Sequence, residues 1–237
     1  MSQFHDQVAL ITGAAGNLGS ALATALADSG AKLALLDISD EDLTRLRGDL
    51  PADVKVETFV ADLIDPQSVT QTVDAVRAHF GRIDILANIA GGFAMGPPLQ
   101  ETEDRTWDQM MDLNLRSVFN MCRAVLPLML DQGGGRIVNV SARAALQGKA
   151  SMGPYCASKA GVITLTETLA AENKHNGITV NCILPGTVDT PQNRAAMPDQ
   201  DHDTWVPPAA LADVILFLAS DAARCVTGAA VPVYGRS

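Results

Sequence analysis

Basic residues, aromatics, paired cysteines and long apolar runs are all scarce in this chain, and each scarcity removes a class of function. The 237 residues carry 17 Lys and Arg against 27 Asp and Glu, for a formal net charge of −10 and a pI of about 4.7. The cations are scattered, so the chain offers no basic patch to a nucleic acid and no attraction to an anionic membrane surface. No apolar stretch approaches the roughly 20 residues that span a bilayer. The opening Met1-Ser2-Gln3-Phe4-His5-Asp6 has no basic n-region, so no signal peptide is expected. Cys122, Cys156, Cys182 and Cys225 form no CxxC pair and read as free thiols of a reducing cytoplasm. His5, His79, His175 and His202 lack metal-ligand spacing, so no metal is expected. No Gly-x-Ser-x-Gly elbow exists, which removes the usual serine hydrolase. Aromatics make up only 4%. Trp107, near Met110 and Met111 at helical spacing, reads as core or interface, whereas Trp205 sits where it can wall a substrate site or anchor a loop.

What is present belongs to a globular chain: 47% hydrophobic and 19% charged residues with no low-complexity tract are enough to bury a sizeable core. Short runs rich in Val, Ile and Leu predict strands at Val8–Thr12, Leu33–Asp37, Val54–Val60, Ile83–Asn88, Arg136–Val140, Thr179–Leu184 and Ala230–Val233. Several are apolar at successive positions, as strands covered on both faces must be. Helical segments alternate with them. Ser39 with Asp42 reads as a capping box, Asp65-Pro66 as an N-cap with an N1 proline, and Thr102-Glu103-Asp104 as the acidic opening of a long helical stretch. This alternation predicts one α/β domain over residues 1–237, a doubly wound, mostly parallel, seven-stranded sheet in a three-layer α/β/α sandwich of Rossmann type. Gly133-Gly134-Gly135 reads as a helix stop. Residues 191–208, rich in Pro, Asp and Gln, show no periodicity and read as an active-site lid or a surface excursion.

After the first predicted strand comes Thr12-Gly13-Ala14-Ala15-Gly16-Asn17-Leu18-Gly19. Glycines there permit a tight reversal and close approach of backbone to a pyrophosphate, which sits at the positive end of the following helix. Asp37 closes the second predicted strand, where a carboxylate accepts hydrogen bonds from ribose hydroxyls and repels a 2′-phosphate. Ile38 follows it and none of residues 14–18 is basic, so the expected cofactor is NAD over NADP.

Tyr155 and Lys159 are spaced Tyr-x-x-x-Lys, one helical turn apart on one face. Lowering a phenol pKa by about three units takes roughly 4 kcal/mol. An ammonium about 4 Å away at an effective dielectric of about 20 supplies that much, and an oxidised nicotinamide would add to it. The pair is thus expected to make Tyr155 a working acid/base near neutrality.

Taken together these motifs identify a resemblance. Thr12–Gly19, Asp37, Asp62, Asn88-Ile89-Ala90-Gly91, Asn114, Ser141, Tyr155 with Lys159, and Pro185-Gly186 followed by Val188 and Thr190 resemble, in order and along nearly the whole chain, the short-chain dehydrogenase/reductase family. The resemblance implies a Rossmann-type domain that binds NAD(P) and moves a hydride between nicotinamide and a carbonyl or alcohol substrate. Tyr155 would be the acid/base, Lys159 would lower its pKa and bind the nicotinamide ribose, and Asn114 would hold a water in a proton relay. Gly13, Gly16, Asn17, Leu18 and Gly19 would hold the pyrophosphate, and Asp62 with Leu63 the adenine. Asn88-Ile89-Ala90-Gly91 would line the adenosine side, Val188 and Thr190 would orient the carboxamide, and Pro185 and Gly186 before them would also bind the cofactor. Helices around residues 103–131 and 155–175 resemble those by which family members dimerise and tetramerise, so a homo-oligomer is implied.

The chain departs from the family's pattern at four places. Asn17 stands where the middle glycine is usual, and asparagine tolerates left-handed dihedrals better than most residues. Ile89 replaces the second asparagine of its motif. Thirteen residues before Tyr155, where the substrate-polarising serine belongs, stands Ala142; Ser141, Arg143, Lys149 and Ser151 are the candidate replacements. The ending Val233-Tyr234-Gly235-Arg236-Ser237 replaces an acid-glycine-glycine. Losing one donor to a developing oxyanion costs about 2.7–4 kcal/mol. The stretch Ala142–Tyr155 also resembles dihydropteridine reductases, which keep the Tyr/Lys pair without the serine. A pterin reductase, and an NAD-binding regulatory subunit whose catalysis has lapsed, therefore stand as alternatives.

Overall fold

Residues apolar at successive positions need cover on both sides, and the sheet is built to give it. A computed structural model describes residues 3–236; Met1 and Ser2, part of the segment read above as lacking a signal peptide, and Ser237 lie outside them. Seven strands form one sheet: β1 Val8–Thr12, β2 Lys32–Asp37, β3 Val56–Val60, β4 Ile85–Asn88, β5 Gly135–Val140, β6 Ile178–Pro185 and β7 Ala230–Val233. All neighbours pair in parallel in the order β3-β2-β1-β4-β5-β6-β7. The helices are α1 Asn17–Asp28, α2 Asp40–Asp49, α3 Pro66–Phe80, α4 Asp104–Met111, α5 Ser117–Gln132, α6 Gly153–Asn173, α7 Pro191–Ala196 and α8 Pro208–Ala219. Ala9, Ile11, Leu33 and Leu35 bury against α1 and α8, through residues such as Leu22, Leu26, Leu211 and Ile215. The alternate residues Leu10, Ala34, Leu36 and Leu86 bury against α3, α5 and α6. Each such Leu or Ile contributes about 1.5–3 kcal/mol of transfer free energy. The doubly wound α/β expectation holds.

Local signals place the boundaries. Ser39 Oγ accepts the Asp42 N–H at 3.2 Å and starts α2; the Asp65 carboxylate accepts the Gln67 N–H at 2.9 Å and starts α3. Gly133 takes φ +74 and stops α5. Three expectations needed correction. Strands expected from Val54 and Ile83 begin two residues later, at Val56 and Ile85. The long helical stretch after Thr102 is interrupted: α4 runs into a π turn at Asp112–Arg116 before α5, and Glu103 makes no side-chain cap. Residues 191–208 are ordered rather than a formless excursion. Thr190 Oγ1 accepts the Asn193 N–H and caps α7, Val188 bridges Val206, and Trp205 and Val206 are buried. Packing of those two apolar side chains, invisible to periodicity, holds the segment down.

The strand order reverses between β1 and β4, so their C-terminal ends part and leave a crevice at the switch point. Thr12 Oγ1 ties the two ends together by accepting the N–H groups of Ile89 and Ala90 at 3.1 and 3.2 Å. Beneath the crevice, Asn88 Nδ2 donates to Asn139 Oδ1 at 2.8 Å, and Asn139 Nδ2 donates to Thr166 Oγ1 at 2.9 Å, all buried. Asn139→Val leaves the Asn88 amide and the Thr166 hydroxyl short of partners. An unsatisfied buried group costs about 1–3 kcal/mol, so the thermal midpoint should fall by roughly 2–12 °C in a calorimetric melt.

Candidate active site

A parallel strand followed at once by a helix must turn within a few residues. Gly13 does so at φ +62, and a Cβ there would stand 2.8 Å from the Ala90 Cα. Gly19 is pressed harder still: its Cβ would lie 2.1 Å from the Gly13 carbonyl oxygen. Gly16 caps α1 at an ordinary φ of −73. Asn17 is already helical, so its tolerance of left-handed backbone is not used; its amide instead donates to Gln192 Oε1 on α7 at 3.1 Å. The free N–H groups of α1 face the turn and suit an anion.

This turn forms one wall of a cavity of about 520 Å³. Asp37 and Ile38, the Ala61–Ile64 run, Ile89, Ala90 and Gly91, Leu113 with Ser117, and Val188 with Thr190 complete it. Gly13, Gly16, Asn17, Leu18, Gly19, Asp37, Asp62, Leu63, Ala90, Gly91, Val188 and Thr190 are thus brought together at the cavity. The Asp37 carboxylate also fastens the turn, accepting the Ala15 N–H at 3.0 Å and the Ile38 N–H at 2.8 Å. Asn88 needs correction. It ends β4 with its side chain on the far side of the sheet, in the buried network described above, and Ile89 lines the cavity in its place. Pro185 and Gly186 lie at the end of β6 and do not line it. Ile38, Ala61, Ile64, Leu113 and Ser117 were missed. For Ile38 and Ile64 a signal existed, an isoleucine beside an aspartate, left 69% and 39% exposed; for Leu113 and Ser117 only the flank of Asn114 pointed there, and Ala61 carried none.

Tyr155 and Lys159 rise from the first turns of α6. Tyr155 is half-buried, its ring edge-to-face with Phe93 at 5.0 Å between centroids. The buried Lys159 Nζ donates to the Val140 carbonyl at 2.9 Å. A Cβ on Gly91 would stand 3.1 Å from that Nζ and 2.8 Å from Asn114 Oδ1, so cavity wall, lysine and asparagine meet at one point. Asn114 reaches it from the π turn, a distortion that recurs at functional sites. Its Oδ1 accepts the Gly92 N–H at 2.9 Å and its Nδ2 donates to Ser158 Oγ at 3.2 Å. Burial pulls the lysine pKa down to about 8. Burial, then the neighbouring Cys156, pushes the tyrosine up to about 12. That direction is opposite to the one expected from the pair's spacing. An ammonium that is itself desolvated and turned to a carbonyl does not offset the burial of the phenol.

A model of one family, described as short chain dehydrogenase, matches residues 7–201. The chain belongs to that family. It is 39% identical over 243 residues to a D-threitol dehydrogenase of Mycolicibacterium smegmatis, covering 98% of this chain and 93% of that protein. It is 36% identical over 245 residues to a 3-oxoacyl-(acyl-carrier-protein) reductase of Thermotoga maritima, covering 98% of each. The solved structure of an NAD+-bound xylitol dehydrogenase matches with a TM-score of 0.92 at 30% identity, over 98% of this chain and 99% of that one. The protein is an oxidoreductase whose chemistry is hydride transfer with a nicotinamide dinucleotide and a small-molecule substrate. These relatives are named as dehydrogenases and reductases, and nothing in them supports the pterin-reductase or non-catalytic alternatives.

In this short-chain dehydrogenase the position of the usual polarising serine is empty of donors, because Ala142 offers only a methyl. Ser141 is no substitute, and this is a second correction: its buried hydroxyl donates to the Lys159 carbonyl at 2.7 Å, away from the phenol. The Arg143 guanidinium lies over the Tyr234 ring at 4.9 Å, which gives the unusual C-terminus its role of packing against the loop after β5. Removing the Ser141 bond should cost about 1 kcal/mol of stability and little rate. Ser141→Ala is expected to keep kcat within about threefold, whereas a fall of a hundredfold or more, the loss typical of an oxyanion donor, would restore Ser141 to the polarising role.

Proposed function

We propose that this protein is an NAD(H)-dependent carbonyl reductase and alcohol dehydrogenase in which Tyr155 is the acid/base. The observation that carries the reading is that Gly91, which lines the cavity, meets both Asn114 and the Lys159 ammonium, and that Lys159 is on the helix that bears Tyr155. The residues fit a dinucleotide: the glycine turn and the α1 N-terminus suit its pyrophosphate, Asp37 its adenosine ribose, and Ala61, Asp62, Leu63 and Ile64 its adenine. Val188 and Thr190 suit the carboxamide. When bound, the dinucleotide supplies or accepts the hydride.

The remaining work falls to the chain. Tyr155 holds its proton at neutral pH and donates it to the carbonyl oxygen as the alcohol forms; in the reverse direction it takes that proton back. Lys159 lies beside Gly91, where it would hold the nicotinamide ribose, and its charge favours the phenolate. Asn114, held by the Gly92 N–H, orders the proton path. With Ala142 in the serine position, Tyr155 is left to polarise the carbonyl as well as protonate it.

NAD is preferred to NADP because Asp37 presents its carboxylate at the cavity and Ile38 brings no cation. The NAD+ named in the xylitol dehydrogenase structure agrees with this reading. Exposed apolar side chains on α4 and α5, namely Trp107, Phe119 and Leu130, suit a homo-oligomer, a dimer or tetramer. Among the described residues no helix is long and apolar enough to cross a membrane, and all four cysteines are unpaired. We place the protein in the cytoplasm on the strength of those thiols.

The test is oxidation of NADH and NADPH followed by absorbance against a panel of ketones and aldehydes. NADH should be the better donor, and Tyr155→Phe should bind it unchanged while turnover falls at least ~10²-fold, the lower range for a lost general acid. Turnover that survives the substitution would overturn the assignment.

A further inference from the structure

Between Asp84 and Glu101 the chain carries no charged residue. That stretch leaves β4, contributes Ala90 and Gly91 to the cavity, and then crosses the start of α6 in three contacts. The Phe93 ring meets Tyr155 at 5.0 Å with an interplanar angle of 87°. The Gly96 N–H donates to the Ser151 carbonyl at 2.9 Å. A Cβ on Gly153 would stand 3.4 Å from Leu99 Cδ1. Ser151 is held at φ +63, a left-handed conformation that a non-glycine residue keeps where its surroundings over-determine it. The loop is therefore docked rather than loose. Even so, Phe93, Met95 and Leu99 are 58%, 67% and 69% exposed. Apolar side chains anchored beside a reactive group and left open to solvent form a binding surface.

We propose that Phe93, flanked by Met95 and Leu99, is the specificity-determining wall of the substrate site, and that the enzyme selects uncharged carbonyl compounds carrying an aryl, cycloalkyl or alkyl group. The inference rests on Tyr155 being the group that meets the carbonyl oxygen. A substrate whose oxygen reaches that phenol passes the ring that meets it edge-to-face. An apolar substituent there gains by removing the exposed edge of Phe93 from water, and an aromatic one adds an offset or edge-to-face pair. A hydroxyl or carboxylate in the same place loses its hydration to a loop with no charge to offer it.

The test measures binding first, so that it does not depend on turnover. Acetophenone, octanone, hydroxyacetone and acetoacetate are titrated calorimetrically into the full chain saturated with NAD+, with which a ketone cannot react, for the wild type, Phe93→Ala and Met95→Ser. The wild type should bind acetophenone and octanone at least tenfold more tightly than hydroxyacetone or acetoacetate. A buried methylene alone is worth about tenfold or more. Phe93→Ala should lose roughly tenfold on acetophenone and within about twofold on hydroxyacetone, with Met95→Ser shifting octanone the same way by less. In steady-state kinetics the loss should fall on KM and leave kcat within about twofold. Equal or tighter binding of hydroxyacetone or acetoacetate would overturn the proposal. So would a uniform loss on all four compounds in Phe93→Ala, since that would make Phe93 a support for Tyr155 rather than a contact to substrate. Apolar preference without any reduction leaves the wall standing and counts against the Tyr155 acid/base role; reduction without the preference does the reverse.

Discussion

The hydrogen bond from the Lys159 ammonium to the Val140 carbonyl is the constraint on which the site depends. It joins the first turns of α6 to the end of β5 and places a cation, fully enclosed, against the cavity wall at Gly91. A glycine is needed there because any side chain would meet both the lysine and Asn114. Asn114 in turn reaches the same point only because the helix before it loosens into a π turn. Ser141 supports the arrangement from behind by donating to the Lys159 carbonyl, and Ser158 closes it by donating to the Tyr155 carbonyl. The polar groups around the tyrosine are thus committed to one another. Their collective effect is a lysine fixed one helical turn from a phenol whose pKa burial raises.

The fold supplies this arrangement through its switch point. Strands β1 and β4 diverge, Thr12 laces their ends, and the two loops that leave them carry the glycine turn and the Ala90–Gly91 segment into contact. The groove between them has the size and lining of a ligand site. On its other flank Gln192 of α7 meets Asn17, so the departure from the usual glycine joins the turn to the segment that follows β6. The C-terminal residues extend the same side: Arg236 N–H donates to the Thr204 carbonyl, and Tyr234 stacks on Arg143.

Much of this was legible in the sequence because it rests on local chemistry. Val8–Thr12 and Ala230–Val233 were read to the residue, since apolar runs between turn signals leave little choice. The glycine turn, Asp37 and the Tyr155/Lys159 spacing were also plain. What was not legible depends on three-dimensional packing. The π turn at Asn114 carries no composition signal. Asn88 faces the core because the pleat alternates and Asn139 stands opposite it in the ladder; the motif alone did not say which side it takes. Residues 191–208 are ordered by Trp205 and Val206, whose burial no periodicity announces. The direction of the Tyr155 shift was misjudged from spacing because a Coulomb estimate omits the desolvation of both partners.

Burial raises the pKa of Tyr155 in the protein alone, and an oxidised nicotinamide held in the cavity as proposed would bring the phenol toward neutrality. The chain has only two tyrosines, Tyr155 and Tyr234, so a nuclear magnetic resonance titration of ring-carbon-labelled tyrosine reads both directly, with Tyr155→Phe assigning the signals. Tyr155 in the protein alone should titrate near 12, and saturating oxidised dinucleotide should lower its midpoint by about two units or more, the shift typical of an adjacent opposite charge. A midpoint below that of free tyrosine in the protein alone, or one that the dinucleotide leaves unmoved, would contradict the account.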